Sequence, residues 1–207
     1  MTVTGNRILD PVIFIILLIM SVILHEVSHG LVARRLGDGT AAAAGRLTLN
    51  PIPHIDPFGS VLLPAMLALS GAPVFGWARP VPVNPRAFSR PTEGMALTAL
   101  AGPVSNLALA LIAGRVILPA TSGIVADLVW AFGIINVVLA VFNLLPIPPL
   151  DGSRMVPLFL GDRGRAAYAK VEPYGFLILF ALLFIIPGAT RWLSVPISTV
   201  SDWMGLR

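Results

Sequence analysis

The sequence contains no cysteine among its 207 residues, which excludes a disulfide framework and catalysis by a thiolate. Charged residues are also scarce, at 12%, or about half the share of an average soluble domain. So few charges cannot solvate the surface of a soluble body of this size. The formal net charge is only +4, and the basic residues form no dense patch. This composition excludes a disordered chain, an ordinary soluble enzyme and a nucleic-acid binder.

Apolar residues are abundant instead, at 56% of the chain, with a mean hydropathy of +0.87. Four apolar runs, at about 11–33, 94–118, 122–146 and 171–187, are predicted to cross a bilayer as helices. The first run would be roughly 34 Å long as a helix. A cleaved signal peptide is the alternative there, but no small-residue cleavage site follows the run. We expect one domain, 1–207, with the fold of an all-α polytopic membrane protein.

Three further segments complete the expected architecture. Residues 58–70 are apolar but short, and the expected topology predicts that they are re-entrant, with a full crossing as the alternative. Two flanking stretches are rich in proline and glycine and contain the extended pieces Gly45–Asn50 and Trp77–Asn84. Proline at alternate positions suits edge strands or polyproline-like chain, and these pieces predict a small membrane-associated β region. The tail, 191–207, is predicted to be an amphipathic segment at the membrane interface.

The first apolar run carries three ionisable residues, in the pattern His25-Glu26-Val27-Ser28-His29. Residues four apart lie on one face of a helix, so both imidazoles can reach one zinc ion. The glutamate between them can act as a general base beside that ion. A polar cluster that only binds neighbouring helices is the alternative. We favour a metal site because ionisable groups within a membrane span are costly and usually functional.

Two histidines leave a hydrolytic zinc ion short of a ligand, since such a site usually has three protein ligands. The chain has one other histidine, His54. Carboxylates near the spans are also candidates: Asp56, Glu93, Asp127, Asp151, Asp162 and Glu172. Asp151 stands out because it directly follows a span, after helix-breaking prolines and before Gly152, which permits a sharp turn. An ordinary helix-ending turn would give the same pattern, so these grounds leave the third ligand open.

Three motifs in order resemble the site-2 protease family of intramembrane zinc metalloproteases. They are His25-Glu26-x-x-His29, Ala101-Gly102-Pro103-Val104-Ser105-Asn106 and Asn143-x-x-Pro146-x-x-x-Leu150-Asp151-Gly152. The resemblance covers nearly the whole chain. The loop segments Gly45–Pro51, 54–57 and Gly76–Asn84 resemble the compact branch of the family, which lacks PDZ and CBS domains.

This resemblance implies one zinc ion per chain, held by His25, His29 and Asp151, with Glu26 as the catalytic base. It also implies that Asn106 faces the site and that Asn143 lies near the substrate or the metal. Asn106 could donate a hydrogen bond to the developing oxyanion. The implied function is hydrolysis of peptide bonds in transmembrane or membrane-proximal segments, as in regulated intramembrane proteolysis.

The implied partners are the lipid bilayer and a membrane-protein substrate that enters as an extended strand. The substrate would pair with Gly45–Asn50 or Trp77–Asn84 by β-augmentation. A purely structural sheet is the alternative role for those two pieces. No nucleic-acid partner is expected. The implied location is a prokaryotic plasma membrane, and the sequence leaves the oligomeric state open.

The basic residues predict the orientation of the chain in the membrane. If the Arg34–Arg35 end of the first span is cytoplasmic, the N-terminus lies outside. A full crossing by residues 58–70 would then carry Asp151 to the far side of the membrane, away from His25. A re-entrant 58–70 keeps them together, which predicts an active site towards the cytoplasmic side.

Two questions remain open in the sequence. His54 could be an auxiliary metal ligand or substrate contact, or a hydrogen-bond donor that fixes its loop. A non-catalytic membrane protein that binds metal, transports a solute or acts as a scaffold is the alternative function. A transporter does not need a glutamate at this spacing between two histidines, and no inverted repeat is visible. We therefore favour the protease.

Overall fold

The computed structural model describes residues 9–70, 77–185 and 188–207. Its helices are α1 (Leu9–Arg35), α2 (Thr40–Ala43), α3 (Leu63–Ser70), α4 (Pro91–Ile112), α5 (Gly123–Asn143), α6 (Asp162–Val171), α7 (Gly175–Phe180) and α8 (Ala189–Met204). Short helical turns join several of them. The described residues contain no β-strand, so the predicted small β region is not confirmed. The reason is local: Gly45–Asn50 folds into turns and bends, and the chain from Trp77 to Asn84 is irregular.

Among the described residues, four helical stretches are long and apolar enough to cross a membrane: Leu9–Arg35, Pro91–Ala120, Gly123–Asn143 and Asp162–Leu183. They overlap the four predicted spans. The last stretch begins at Asp162 instead of near Val171, because α6 continues into α7 through a tight turn at Glu172–Tyr174. The outer face of α1 exposes large apolar side chains, among them Val12, Ile15, Ile16 and Met20. Lipid is the solvent that such a surface requires, so the chain is an integral membrane protein.

The centre of the bundle is formed by α1 and α4, which run antiparallel. His25 of α1 is hydrogen-bonded to Asn106 of α4. His29 lies one turn after His25 in α1, and it is hydrogen-bonded to Thr98, which lies about two turns before Asn106 in α4. The end of α1 at Arg35 and the start of α4 at Pro91 therefore lie at the same end of the bundle. We call this the site end.

Helix α5 completes the centre and runs parallel to α1. Its Asn136 contacts Ser21 of α1 and Asn106 of α4. Beyond Asn136 the helix continues towards the site end and stops at Asn143, three residues before Pro146, which cannot continue a helix. The chain that follows α5 is thereby delivered to the same end as the histidines of α1.

The segment between α1 and α4 leaves and returns at the site end. Within it, the helical stretch from Pro57 to Ser70 would be about 21 Å long, less than the roughly 30 Å of a bilayer core. Hydrogen bonds join the beginning of this stretch to Trp77, which follows it in the sequence. The N–H of Trp77 donates to the carbonyl oxygen of Gly59 at 3.1 Å, and the hydroxyl of Ser60 donates to the carbonyl oxygen of Trp77 at 2.7 Å.

The predicted tail forms α8, which packs against the end of the bundle opposite the site. Met204 and Leu206 form a buried cluster with Ala110 and Val137. A Cβ atom at Gly133 of α5 would lie 2.5 Å from Leu206, so the glycine permits this close approach. Tail packing therefore stabilises the far ends of α4 and α5 and does not contribute to the site.

Candidate metal centre

His25 and His29 lie one turn apart on the buried face of α1. Their side chains project towards α4, and their ring centroids are 4.6 Å apart in an edge-to-face arrangement. They are only 5% and 7% exposed. The spacing of four residues thus directs both imidazoles into one buried space, as predicted from the sequence.

Asp151 reaches the two imidazoles from the loop that follows α5. Its Oδ2 atom lies 3.0 Å from Nε2 of His25 and 3.3 Å from Nε2 of His29. The turn that delivers it depends on Gly152, whose backbone lies so close to the carbonyl of Leu144 that a side chain would collide with it. The loop therefore folds back on the end of α5 and places the carboxylate between the histidines.

Both histidines are held by α4 through the nitrogen that faces away from Asp151. Nδ1–H of His25 donates to Oδ1 of Asn106 at 2.5 Å, and Nδ1–H of His29 donates to the carbonyl oxygen of Thr98 at 2.7 Å. These acceptors select the tautomer in which each Nε2 is free to bind a metal.

A chain of buried amides supports Asn106 in turn. Its Nδ2 donates to Oδ1 of Asn136 at 2.7 Å, and Nδ2 of Asn136 donates to the hydroxyl of Ser21 at 2.9 Å and to the carbonyl oxygen of Phe132 at 2.8 Å. The polar groups of Asn106 are thus engaged within the bundle, and its side chain is fully buried. This geometry favours a role in orienting His25 over the predicted oxyanion contact.

The site fits a metal ion by several observations. Ligand atoms of His25, His29 and Asp151 all lie within 4.8 Å of one another. With the ring protons on Nδ1, neither Nε2 has a proton to donate to the nearby Oδ2 of Asp151. Nε2 of His29 and Oδ2 of Asp151 are therefore buried without a hydrogen-bond partner, which is costly unless another group binds them. A Cβ atom at Gly102 of α4 would lie 2.5 Å from both imidazoles. Two imidazoles and one carboxylate are a donor set that suits zinc.

Glu26 lies beside this cluster but belongs to a different set of contacts. Its Oε2 atom accepts a hydrogen bond from the backbone N–H of Val81 at 2.8 Å, and its side chain is half-buried. It is not a member of the group of close ligand atoms. The carboxylate interacts electrostatically with His29 and is not one of the three candidate ligands.

The two remaining predicted site residues make other contacts. The amide of Asn143 donates to the carbonyl oxygen of Leu139, one turn earlier in α5, and its predicted role near the substrate or metal stays a prediction. Nε2 of His54 is hydrogen-bonded to the carbonyl oxygen of Thr48 at 3.0 Å. His54 is buried but lies outside the His-His-Asp group, which favours the loop-fixing alternative.

Sequence reasoning missed the residues that support the site from other elements. Asn136 gives no motif signal, although a fully buried asparagine within an apolar span needs partners and is a reason to look for a polar network. Val81 contributes only a backbone N–H, for which no side-chain pattern exists. Asp38 and Arg46 lie in connecting segments and carry no motif signal.

A helix bundle with a buried His-His-Asp site and an adjacent glutamate defines a class of membrane-embedded protein with a hydrolase-type metal centre. Comparison with known proteins agrees with this class. The family model of Peptidase family M50 matches residues 119–186, which include Asp151. The chain belongs to peptidase family M50, as its similarity to curated relatives shows.

Several of these relatives match most of the chain, among them the following two. "Putative zinc metalloprotease YwhC" of Bacillus subtilis (strain 168) is 43% identical over 184 residues, covering 84% of this chain and 80% of the relative. "Putative zinc metalloprotease Rip2" of Mycolicibacterium smegmatis (strain ATCC 700084 / mc(2)155) is 33% identical over 192 residues, covering 91% and 72%. No solved structure gives a significant match.

Proposed function

We propose that this protein is a zinc endopeptidase of the site-2 type, which hydrolyses peptide bonds of substrate segments within or next to the membrane. The observation that carries the proposal is the convergence of His25, His29 and Asp151 beside Glu26, inside a bundle of membrane-crossing helices. A buried ionisable cluster of this kind is costly in a membrane protein and is retained where it performs a function. The names of the curated relatives support the same activity.

The roles of the residues follow from their positions. His25, His29 and Asp151 would hold one zinc ion per chain, which when bound activates water and polarises the scissile carbonyl. Glu26 takes a proton from the attacking water and returns it to the leaving amine. Asn106 and the carbonyl of Thr98 keep the imidazoles in the ligating tautomer. Together these groups would perform hydrolysis at a site shielded from lipid.

The proposed substrate is a membrane-protein segment that enters as an extended chain, since a peptide bond within a helix is not accessible to a water nucleophile. Pairing with Trp77–Asn84 is constrained by this structure. The N–H groups of Trp77, Arg79, Val81 and Asn84 already donate within the chain. A substrate strand would therefore pair with the other backbone groups of this segment, or with a different segment.

Removal and return of the metal tests the proposed activity. We expect purified protein in detergent to cleave a membrane-protein test substrate, to lose cleavage after treatment with a chelator, and to regain it when about one equivalent of zinc is added. Cleavage products are measured by mass spectrometry, and thermal unfolding of the chelated sample checks that it stays folded. Cleavage that survives complete zinc removal would contradict the proposal. A chain that binds zinc but cleaves no membrane substrate would favour the non-catalytic alternative.

We also propose an orientation with the N-terminus outside and the site end towards the cytoplasm of a prokaryotic cell. The antiparallel pairing of α1 and α4 supports it, because the whole segment 36–90 then begins and ends on one side. The hydrogen bond between Trp77 and Gly59 supports a re-entrant 58–70, because it joins the chain before and after this segment. The segment 36–90 and the helix end before it carry six arginines, which the positive-inside rule places in the cytoplasm. They are Arg34, Arg35, Arg46, Arg79, Arg86 and Arg90.

The absence of native cysteine makes this orientation easy to test. Ser89→Cys and Ser122→Cys place single thiols at exposed positions before α4 and before α5. In intact cells a membrane-impermeant maleimide should label the Ser122→Cys variant, and it should label the Ser89→Cys variant only after permeabilisation. The unmodified chain is the control for background. The reverse pattern would overturn the orientation, and labelling of both in intact cells would overturn the shared topology.

A further inference from the structure

The catalytic carboxylate is held in place by a segment far from it in sequence. Glu26 lies on α1, yet its Oε2 atom accepts the N–H of Val81 at 2.8 Å. Val81 is buried, and its side chain packs near Gly30, where a Cβ atom would lie 3.2 Å from Cγ1 of Val81. The segment 79–84, which we call the strap, therefore lies directly against the face of α1 that carries Glu26.

Arg46 fastens the strap on the N-terminal side of Val81. Its Nη2 atom donates to the carbonyl oxygen of Arg79 at 2.5 Å and to that of Pro80 at 3.3 Å. These are the two peptide carbonyls that precede the Val81 N–H. Arg46 is only 6% exposed, so its guanidinium has been moved out of water to bind backbone. A buried cation that binds two consecutive carbonyls fixes the direction of the next peptide.

Asp38 fastens the strap on the other side. Its Oδ2 atom accepts the N–H of Asn84 at 2.6 Å, and its Oδ1 atom accepts the N–H of Thr40 at 2.9 Å. Asp38 is 1% exposed. Burial opposes its ionisation, but the hydrogen bonds from Thr40 and Asn84 outweigh burial and hold the pKa of Asp38 below its usual value. The residue is therefore a charged anchor that follows directly on the end of α1.

We propose that Arg46 and Asp38 are positioning residues that hold the strap so that the Val81 N–H orients the Glu26 carboxylate. This inference rests on the proposed function, in which Glu26 is the general base. It adds that the strap, and not α1 itself, orients the carboxylate of Glu26.

The contact has a chemical consequence for Glu26. A carboxylate on a flexible side chain, next to two histidine ligands, could itself bind the metal. With Oε2 bound by the Val81 N–H, one oxygen is occupied and the carboxylate plane is fixed, while the other oxygen is left for water. Arg46 also attracts Glu26 electrostatically, so it acts on the carboxylate as well as on the strap.

Hydrogen–deuterium exchange of the Val81 amide tests the contact without any need for activity. In metal-free protein we expect slow exchange at Val81, which Glu26→Ala speeds at least 10-fold while leaving the Arg79 amide unchanged. Arg46→Met and Asp38→Asn should each speed exchange at Val81. Arg46→Lys should give a rate between those of the unmodified protein and Arg46→Met, because an ammonium can bind a carbonyl but lacks the planar, forked donors of a guanidinium. Arg86→Met removes an exposed arginine side chain near the strap and is the matched control. Fast exchange in the unmodified protein, or no change in Glu26→Ala, would overturn the proposal.

A kinetic comparison separates positioning from general stability. Loaded with zinc, Arg46→Met should bind about one zinc per chain, keep its KM and lose kcat by about 10-fold to 100-fold, the size of effect expected for a slightly misplaced catalytic group. Arg46→Lys should recover part of the loss. If Arg46→Met instead lost zinc or raised KM alone, the anchor would serve the fold or substrate binding and the proposal would fail. If the unmodified protein showed no cleavage, the proposed function would fail while the exchange result still stood.

Discussion

Replacement of Glu26 by glutamine should abolish peptide hydrolysis while leaving zinc bound. Glutamine keeps the volume of the side chain and an oxygen that can accept the Val81 N–H, so the local packing around α1 is preserved. What it loses is the ability to take a proton from water at neutral pH. Loss of a general base costs between about 100-fold and 10,000-fold in rate, so we expect cleavage to fall to that extent. Single-turnover cleavage of a membrane-protein substrate measures it.

The zinc content of the same preparation is the control for this result. Since Glu26 lies outside the group of close ligand atoms, Glu26→Gln should retain about one zinc per chain, as the unmodified protein does. Cleavage at an undiminished rate would show that another group is the base. Loss of zinc together with activity would show that Glu26 is a ligand, and the distinction between base and ligands made here would be wrong.

The membrane-crossing helices and the paired histidines of the candidate metal site could be predicted from the sequence because both have strong local signals. Long apolar runs give the spans, and four-residue spacing gives the paired histidines. The position of Asp151 needed more, since the residues alone left an ordinary turn as an alternative. The structure brings it to 3.0 Å from His25 because α5 ends at the site end and the chain folds back there.

The parts that sequence reasoning missed depend on contacts between distant segments. The hydrogen bond between Ser21 and Asn136 joins residues 115 positions apart, and no local periodicity encodes it. The Val81 contact depends on a backbone group, which every residue except proline possesses. Alternating prolines predicted an extended segment at 77–84, and the structure shows an irregular one there. They did not predict that its hydrogen bonds go to Arg46, Asp38 and Glu26 instead of to a neighbouring strand.

The second large effect is expected at Asp151, which links the loop after α5 to the histidines of α1. Asp151→Ala removes one of three candidate ligands and leaves two imidazoles, which do not complete a hydrolytic zinc site. Loss of a group that merely supports a ligand costs about 10-fold to 100-fold in metal affinity, and loss of a ligand itself should cost more. We therefore expect zinc to fall from about one per chain to near zero, measured by plasma emission spectrometry on dialysed protein.

His54→Ala is the matched control, because it removes the one histidine outside the site. His54 is bonded to the Thr48 carbonyl in its own loop, so its loss should leave the zinc content unchanged. Asp151→Asn keeps the side-chain volume and shows whether the loss follows the charge or the packing, and thermal unfolding checks that each variant is folded. Zinc retained in Asp151→Ala but lost in His54→Ala would make His54 the third ligand. The close approach of Asp151 to His25 and His29 would then describe an arrangement that the metal-bound protein abandons.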